Sequence, residues 1–544
     1  MMGNKIYQKL TQLLNSDILP WVIIAIGIIL RLLRYAHNPS LWFDESDTAI
    51  DIIIRPFSDL INPSPDWSSK YPYGFVLLVK FATQVFGNSE YALRLVPILF
   101  GILSVFLFYR VAKNYINRPA TIVALGLFTI LDRLVFESAN LKPYTSDLAF
   151  ALLIFIWVDY IKSKKINMAD IALAGLAGAI MVWFSYPALF VLSGVGSCLA
   201  VFSLSKKDWA RTWNLAIINI MWASSFIAFY FIYIRNLQSN FDMSVEDLLM
   251  WERGFVPFPP KSLNDIRWIM DNFFEMFNNP AGLTFTGLAA FAFLLGCISL
   301  FQRNKEKFFL LISPVLFTLL ASILHQYPFK NRLIIFLVPF ILLFIAEGVE
   351  FIREKITVKS AMPGIVLVGV LFIYPVSWAV YHAKSPTNHE EIRPEINYIK
   401  NNWQDGDIIY VHYYAQYAFE YYTKYHPDRH VFDEDDFIVS IAPRGWYRTW
   451  RKQHVYRYYE PDAPIRQTST DIFKAYIKDL KKLNGHKRAW ILFSATIVKD
   501  GIQEEKFIAF HLDTIGKRLD SFGRAGISTV YLYDLSEEAL IVDK

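Results

Sequence analysis

Eleven apolar segments, each long enough to cross a lipid bilayer, constrain the fold of this 544-residue chain more than any other feature. About 20 residues of helix span the ~30 Å hydrocarbon core of a membrane. Hydrophobic residues make up 54% of the chain, more than a soluble core of this size needs. The sequence therefore predicts a polytopic α-helical membrane protein. The segments begin near Ile18, Tyr91, Ala120, Tyr144, Ile171, Pro187, Trp213, Gly282, Phe308, Leu333 and Pro363.

One further apolar segment, Gly74 to Phe86, is too short to cross a membrane easily, at roughly 20 Å of helix. If this segment lies in the membrane plane, five basic clusters fall on the same face as Lys5 and Lys9, which the positive-inside rule makes the cytoplasmic face. We therefore predict an in-plane helix near residues 74–86 and a cytoplasmic amino terminus. The clusters are Arg110/Lys113/Arg118, Lys162/Lys164/Lys165, Lys206/Lys207/Arg211, Arg303/Lys305/Lys307 and Arg353/Lys355/Lys359. The pattern of the short helix predicts Phe75, Leu78, Phe81, Ala82 and Val85 on one side and Lys80 and Gln84 on the other.

The composition changes after about His382, where charged and polar residues replace the long apolar runs. Short strand-like runs there alternate with helical patterns, which predicts a membrane domain at residues 1–385 and an α/β domain at 386–544. With eleven spans, this second domain lies outside the cytoplasm, and the protein is expected in the cell (inner) membrane. No glycine-rich phosphate-binding motif follows a predicted strand, so nucleotide binding has little support and we expect no nucleic acid partner. The predicted strands are 407–412, 489–493 and 529–533, and the helices are 416–425, 471–483 and 505–519.

The first outer loop has the sequence Leu41-Trp42-Phe43-Asp44-Glu45-Ser46-Asp47 directly after the first span. Three carboxylates in four residues at a membrane face indicate chemistry or ion binding, although a solvated turn at a helix end is the simpler interpretation of a lone Asp. Five cations also lie near span ends on the face that should be poor in them: Lys70, Arg94, Lys142, Lys330 and Arg332. Such cations pair, line a cavity or hold a lipid phosphate, or else they snorkel to the headgroups.

Several short motifs carry a resemblance to a known family, over roughly residues 18–350. The chain resembles the glycosyltransferase 39 group, which are bacterial multipass enzymes of the GT-C fold related to protein O-mannosyltransferases and lipid A aminoarabinose transferases. The motifs are Leu-Trp-Phe-Asp-Glu at 41–45, Lys70-Tyr71-Pro72-Tyr73-Gly74, the run 86–95, Leu141-Lys142-Pro143-Tyr144 with Asp147, Phe184-Ser185-Tyr186-Pro187, and Tyr327-Pro328-Phe329 with Arg332.

The resemblance implies transfer of a sugar from a polyprenyl-phosphate donor to an acceptor outside the cytoplasm. It makes Asp44 the general base, with Glu45 orienting Asp44 or binding donor hydroxyls. Four of the five cations on the outer face are the expected donor-phosphate ligands: Lys70, Arg94, Lys142 and Arg332. The expected substrate-binding residues are Asp47, Tyr71, Tyr144, Asp147, Tyr186, His325, Tyr327 and Lys330.

The partners that follow are a polyprenyl-phosphate-linked sugar, membrane lipids, and an acceptor that is a glycan, a lipid or a protein. No cofactor is predicted, and no histidine spacing suggests a zinc site, whereas a divalent cation beside the carboxylates stays open. Many relatives have His-Pro-Pro where this chain has Lys70-Tyr71-Pro72, which leaves the sugar open. We also expect the outer loop 235–281 to act either as a mobile lid or as a static packed loop.

Other functional classes remain possible interpretations of the same residues. A transporter or flippase of lipid-linked sugars also needs buried charges along an outer cavity, but the two halves of this sequence show no symmetry. A two-carboxylate glycosidase and a glycosyltransferase of another membrane fold are further alternatives.

Overall fold

The computed structural model describes residues 16–61, 71–235, 253–356, 362–386, 388, 390–429, 432–433, 435–440, 446–449, 456–459, 469–495, 498–499, 502–524 and 526–536. Most of these residues are helical. The helices are α1 (Leu19–His37), α2 (Phe43–Ile54), α3 (Phe57–Ile61), α4 (Tyr73–Phe86), α5 (Glu90–Tyr115), α6 (Arg118–Ile130), α7 (Asp132–Glu137), α8 (Tyr144–Lys162), α9 (Met168–Phe184), α10 (Ala188–Ser205), α11 (Trp209–Phe229), α12 (Leu263–Asn278), α13 (Thr286–Arg303), α14 (Lys305–Ile323), α15 (Val338–Phe351), α16 (Met362–Lys384), α17 (Arg393–Asn401), α18 (Gln416–Glu420), α19 (Ser469–Leu480) and α20 (Glu504–Ile515). The strands are β1 (Ile408–Val411), β2 (Phe437–Val439), β3 (Trp446–Thr449), β4 (Tyr456–Tyr459), β5 (Ala489–Phe493), β6 (Val498–Lys499), β7 (Ile502–Gln503), β8 (Lys517–Arg524) and β9 (Ser528–Asp534).

Nine helical segments within these ranges are long and apolar enough to cross a membrane, which confirms a multi-pass membrane protein. They are α1, α5, α8, α10, α11 with its π turn to Ile234, α13, α14, α15 with its flanking turns, and α16. The two other predicted spans are the shorter helices α6 and α9. Leu131 separates α6 from α7, and together the two helices cover 118–137, or roughly 30 Å at 1.5 Å per residue.

Both ends of α4 lie at the end of the bundle that holds the Asp44 loop. Before α4, the Tyr71 hydroxyl contacts Lys142 beside Asp44, and after it Arg94 of α5 pairs with Glu45. That α4 lies in the membrane plane stays a prediction. The expected distribution of its side chains differs from the structure, however. Lys80 is buried and its Nζ donates to the Ile53 carbonyl at 2.9 Å, while Phe81 and Val85 are exposed on the opposite side.

Gly296 and Gly348 let α13 and α15 approach each other more closely than residues with a Cβ atom would permit. A Cβ atom on Gly296 would lie 1.8 Å from the Phe344 carbonyl oxygen, and one on Gly348 would lie 1.8 Å from the Ala292 carbonyl oxygen. Small residues at helix interfaces let the backbones of neighbouring membrane helices come close together. This contact fixes α15, whose preceding 3-10 turn carries Arg332, against the rest of the bundle.

The carboxyl-terminal residues form a small α/β domain around a five-stranded sheet of order β2-β1-β5-β9-β8. Strand β1 is parallel to β2 and β5, whereas β9 is antiparallel to both β5 and β8. Three predicted strands match β1, β5 and β9 closely. The helix predicted at 505–519 ends earlier, at Ile515, because the chain turns at Gly516 into β8, which gains a full ladder against β9. The fold class is therefore a polytopic α-helical membrane protein with a carboxyl-terminal α/β domain.

One apolar core joins the two parts of the molecule. It combines Leu41, Ile50 and Phe75 from the membrane part with Phe419 and Trp490 from the α/β domain, all of them fully buried or nearly so. The α/β domain therefore packs directly on the loop before Asp44 and on α4.

Candidate active site

Asp44 lies in the first turn of α2 and faces two cations that are distant in sequence. The Nη2 atom of Arg332 is 3.0 Å from Oδ2 of Asp44, and Nζ of Lys142 is 3.5 Å from the same oxygen. The side chain of Lys142 is buried, whereas those of Asp44 and Arg332 keep about a third of their surface exposed, at 35% and 34%. The site is thus open to a ligand on one side.

The charges of this cluster do not cancel. Burial disfavours the ionised carboxylate of Asp44, but Lys142 and Arg332 outweigh burial and hold the pKa of Asp44 below its usual value. Burial likewise opposes the charge on Lys142, yet Tyr71 and Asp44 raise its pKa above the ordinary lysine value. Two cations therefore share one carboxylate, and the excess positive charge suits a phosphate.

Aromatic rings hold both cations in place. Lys142 lies 5.3 Å from the centre of the Trp42 ring and 5.0 Å from that of Tyr71, and it donates to the Tyr71 hydroxyl. Arg332 lies 5.6 Å from the Trp42 ring centre and 5.8 Å from that of Tyr144. Trp42, which was not among the predicted site residues, therefore lies against both cations.

Glu45 and Arg94 form a separate, buried pair next to Asp44. Two guanidinium nitrogens of Arg94 donate to the Glu45 carboxylate at 3.0 and 2.6 Å, and the Leu141 amide donates to it at 2.5 Å. A third nitrogen of Arg94 donates to the Pro39 carbonyl at 2.7 Å. The structure thus places Arg94 on Glu45 and on the loop backbone, whereas Lys142 and Arg332 bind Asp44.

A second group of predicted residues lies deeper in the bundle, around Asp147. Asp147 is buried one turn beyond Tyr144 in α8, and its Oδ1 has no hydrogen-bond partner among the described residues. Tyr186 and Tyr327 are within electrostatic reach of this carboxylate. These three predicted residues are therefore brought together by the fold.

The remaining predicted residues take varied positions. Asp47 is half-buried on α2, one turn after Asp44. His325 is exposed and its ring lies 4.9 Å from that of Phe255, and Lys330 is half-buried just before the turn that carries Arg332. Lys70 lies outside the described residues. Within those residues no group of three or more His, Cys, Asp and Glu side chains could hold a metal ion.

The α/β domain adds a carboxylate that sequence reasoning missed. Oε2 of Glu390 accepts hydrogen bonds from the Phe43 amide at 2.9 Å and from the Ser494 hydroxyl at 2.8 Å. Burial raises the pKa of Glu390 to about 7, and the negative charges of Asp44 and Glu45 add to this effect. No local pattern marks Glu390, because its neighbours at the site are far away in sequence.

The part of the expected outer loop 235–281 that the structure describes is packed against the turn carrying Arg332. The Phe329 amide donates to the Gly254 carbonyl at 2.8 Å, and the Val256 amide donates to the Ser322 hydroxyl at 3.1 Å. Residues 236–252, which belong to the same predicted lid, lie outside the described residues.

Comparison with known proteins connects part of this site to a family. The family model of the dolichyl-phosphate-mannose-protein mannosyltransferases matches residues 70–234, which include Lys142, Asp147 and Tyr186. Asp44 and Arg332 lie on either side of the match. No curated protein shows significant sequence similarity to the chain.

Solved structures that resemble this chain include two with a lipid phosphate bound. ArnT from Cupriavidus metallidurans bound to undecaprenyl phosphate is 12% identical, with a TM-score of 0.49 over 95% of this chain and 98% of that one. The oligosaccharyltransferase AglB from Archaeoglobus fulgidus, in complex with an inhibitory peptide and a dolichol-phosphate, is 13% identical, with a TM-score of 0.46 over 97% of this chain and 76% of that one. Over residues 70–234 the chain is similar to the dolichyl-phosphate-mannose-protein mannosyltransferases, in agreement with the resemblance to the GT-C glycosyltransferases noted from its motifs.

Proposed function

We propose that the protein is an integral membrane glycosyltransferase that moves a sugar from a polyprenyl-phosphate donor to an acceptor outside the cytoplasm. The observation that carries this proposal is the position of Asp44 between Lys142 and Arg332, at an open site with excess positive charge. The family match over residues 70–234 supports it independently. The acceptor class (glycan, lipid or protein) and the sugar stay open.

The chemistry divides between the carboxylate and the cations. Asp44 takes the proton of an acceptor hydroxyl while the hydroxyl oxygen attacks the anomeric carbon of the donor sugar. The bond between that carbon and the phosphate oxygen breaks, and the electron pair leaves with the polyprenyl phosphate. Lys142 and Arg332 then stabilise the phosphate charge that develops.

Without a bound donor, Asp44 is a weak base, and donor binding would raise its basicity. Lys142 and Arg332 hold the pKa of Asp44 below its usual value, so that the carboxylate is ionised but weakly basic. A donor phosphate shared by the same two cations brings negative charge next to Asp44, which raises the pKa of the carboxylate. The base thus gains strength when the donor is in place.

The other residues take supporting parts in this proposal. Tyr71 and Tyr144 hold the cations, and Asp147, Tyr186 and Tyr327 form a deeper polar group with one free carboxylate oxygen for a sugar hydroxyl. Asp47, His325 and Lys330 lie on surrounding elements and stay substrate-binding candidates. Glu45 positions Asp44 through Arg94, and Lys70 stays a candidate phosphate ligand.

The test measures donor consumption by the purified protein in lipid nanodiscs. A panel of synthetic undecaprenyl-phosphate monosaccharides is incubated with the protein and a cell-envelope extract, and released undecaprenyl phosphate is quantified by mass spectrometry. We expect Asp44→Asn to lose about 2 to 4 decades of turnover, as for removal of a general base. The control is Asp59→Asn, because Asp59 is a half-buried carboxylate in the same outer segment without contact to the cations.

Two results would contradict the proposal. Full turnover in Asp44→Asn would remove Asp44 from the mechanism. Movement of intact donor across the membrane, with no undecaprenyl phosphate released from any donor, would identify a transporter or flippase.

A further inference from the structure

The α/β domain holds the backbone directly before Asp44. Three amides of the segment 40–43 donate to side chains of that domain: Ser40 to Oε1 of Glu391 at 3.1 Å, Leu41 to the Tyr422 hydroxyl at 2.9 Å, and Phe43 to Oε2 of Glu390 at 2.9 Å. A merely covering domain would need none of these bonds.

Glu390 supplies a helix cap that α2 lacks in its own sequence. The first amides of a helix have no partner within it, and a side-chain acceptor at the N-cap position normally binds one of them. Trp42 occupies that position, and its indole can only donate. Glu390 takes over this function from another domain, and a carboxylate is favourable beside the positive end of a helix.

Glu390 is itself held by the sheet. Ser494, which donates to Glu390 at 2.8 Å, directly follows β5, and Tyr413 directly follows His412 at the end of β1. These two strands are parallel neighbours whose chains leave in opposite directions, the place where α/β domains commonly bind ligands. Here the first turn of α2 occupies it, with the Phe43 ring 5.0 to 5.8 Å from three tyrosine rings, those of Tyr413, Tyr414 and Tyr417.

A second hydrogen-bonded group joins the domains at Glu90, the first residue of α5. Its buried carboxylate accepts from Tyr422 at 2.8 Å, from Arg393 at 3.0 Å, and bonds His426 at 2.9 Å. One turn later on α5, Arg94 binds Glu45. The α/β domain is therefore connected to Asp44 through Phe43 and to Glu45 through α5.

We propose that the α/β domain positions Asp44 and that Glu390 is the positioning residue that caps its helix. This inference rests on the proposed function of Asp44 for its catalytic consequence, but not for the cap itself. Loss of the cap lets the first turn of α2 unwind, and Asp44 then leaves its place between Lys142 and Arg332.

The test combines hydrogen exchange with donor turnover in nanodiscs at pH 8, above the pKa of Glu390. We expect Glu390→Ala to speed exchange in the peptide 40–47 and to lower kcat by about 10- to 100-fold, with the donor KM little changed, as for loss of a hydrogen bond to a charged group. Glu390→Gln keeps an acceptor oxygen for the Phe43 amide and should restore both measurements to within about threefold. The control is Glu505→Ala, which removes a buried carboxylate with two hydrogen bonds inside the domain, from Thr529 and Tyr531, and none to the first loop.

The outcomes separate this inference from the proposed function. Unchanged exchange in Glu390→Ala, or equal losses in Glu390→Ala and Glu505→Ala, would overturn the cap. Faster exchange without slower turnover would overturn the positioning role and leave the proposed function standing. If the wild type consumes no donor, the proposed function fails, while the exchange measurement still decides whether Glu390 holds α2.

Discussion

At the scale of single residues, burial and partners distinguish cations that look alike in the sequence. Arg94 and Arg332 are both basic residues left on the outer face by the positive-inside rule. Arg94 is 1% exposed and its guanidinium is engaged by Glu45 and by loop carbonyls, whereas Arg332 shares Asp44 with Lys142 at an open site. We therefore expect Arg94 to stabilise the fold and Arg332 to bind the ligand.

The pair Arg94→Gln and Arg332→Gln tests this distinction. Arg332→Gln should weaken binding of undecaprenyl phosphate about 10- to 150-fold, the equivalent of one charge-assisted hydrogen bond, with little change in thermal stability. Arg94→Gln leaves the Glu45 carboxylate buried without its partner, which costs about 3–5 kcal/mol of stability. Thermal unfolding and binding of undecaprenyl phosphate, measured on the same preparations, check both. Weaker phosphate binding in a stably folded Arg94→Gln protein would make Arg94 a ligand.

The pH dependence of turnover should report the cations around Asp44. The carboxylate acts as a base only when ionised, so activity is present above its pKa and lost as pH falls through it. Lys142 and Arg332 hold that pKa below the usual aspartate value of about 3.9. Lys142→Gln removes one cation, so the acid limb of kcat/KM should move to higher pH. An acid limb that stays in place would mean that another group is being titrated.

These residues also show what sequence reasoning can reach. Asp44, Lys142 and Arg332 could be selected because charges at a membrane face are costly unless they pair or bind a ligand. Glu390 and Trp42 could not be selected, since a cap supplied by another domain and a ring beneath two cations leave no trace in local spacing. The pairing of Arg94 with Glu45 could not be predicted either, because neither motif indicates which carboxylate pairs with which cation.

At the scale of elements, the contact between α13 and α15 depends on the absence of side chains. The sequence predicted both helices from their apolar length, but not that Gly296 and Gly348 form their crossing point. Length and composition predict a helix, whereas the face that it buries depends on its neighbours. Lys80 of α4 illustrates the same limit, because its burial follows from a bond to the Ile53 carbonyl of another helix.

Gly296→Ala should therefore destabilise the bundle, with Gly287→Ala as its control on the same helix. A Cβ at position 296 would meet the Phe344 carbonyl oxygen at 1.8 Å, which forces the helices apart at a cost of about 1–3 kcal/mol. A Cβ at position 287 meets nothing within 4 Å, so that substitution should be neutral or slightly stabilising. Thermal unfolding of both variants measures the difference. Equal stability of the two would mean that α13 and α15 are farther apart than described.

At the scale of the whole molecule, charged residues from distant loops meet at both ends of the bundle. At one end Asp44, Lys142 and Arg332 come together. At the other, Glu306 pairs with Lys162 and Lys206, which come from basic clusters assigned to the cytoplasm. Two of the five basic clusters thus meet at one end of the bundle, while their place on the cytoplasmic side stays a prediction. The packing of the α/β domain on the first loop was beyond such an argument, because it rests on contacts between residues about 350 positions apart.

The remaining question at this scale is which end faces outward, and cysteine labelling in spheroplasts answers it. Cys198 and Cys297 are first replaced by Ser, and a single cysteine is then introduced as Phe510→Cys in the α/β domain or as Lys206→Cys at the opposite end. Both positions are well exposed, at 71% for Phe510 and 68% for the side chain of Lys206. Because basic loops stay in the cytoplasm, a membrane-impermeant maleimide should label Phe510→Cys directly and Lys206→Cys only after permeabilisation. The reverse pattern would place Asp44 in the cytoplasm and exclude an acceptor outside the membrane.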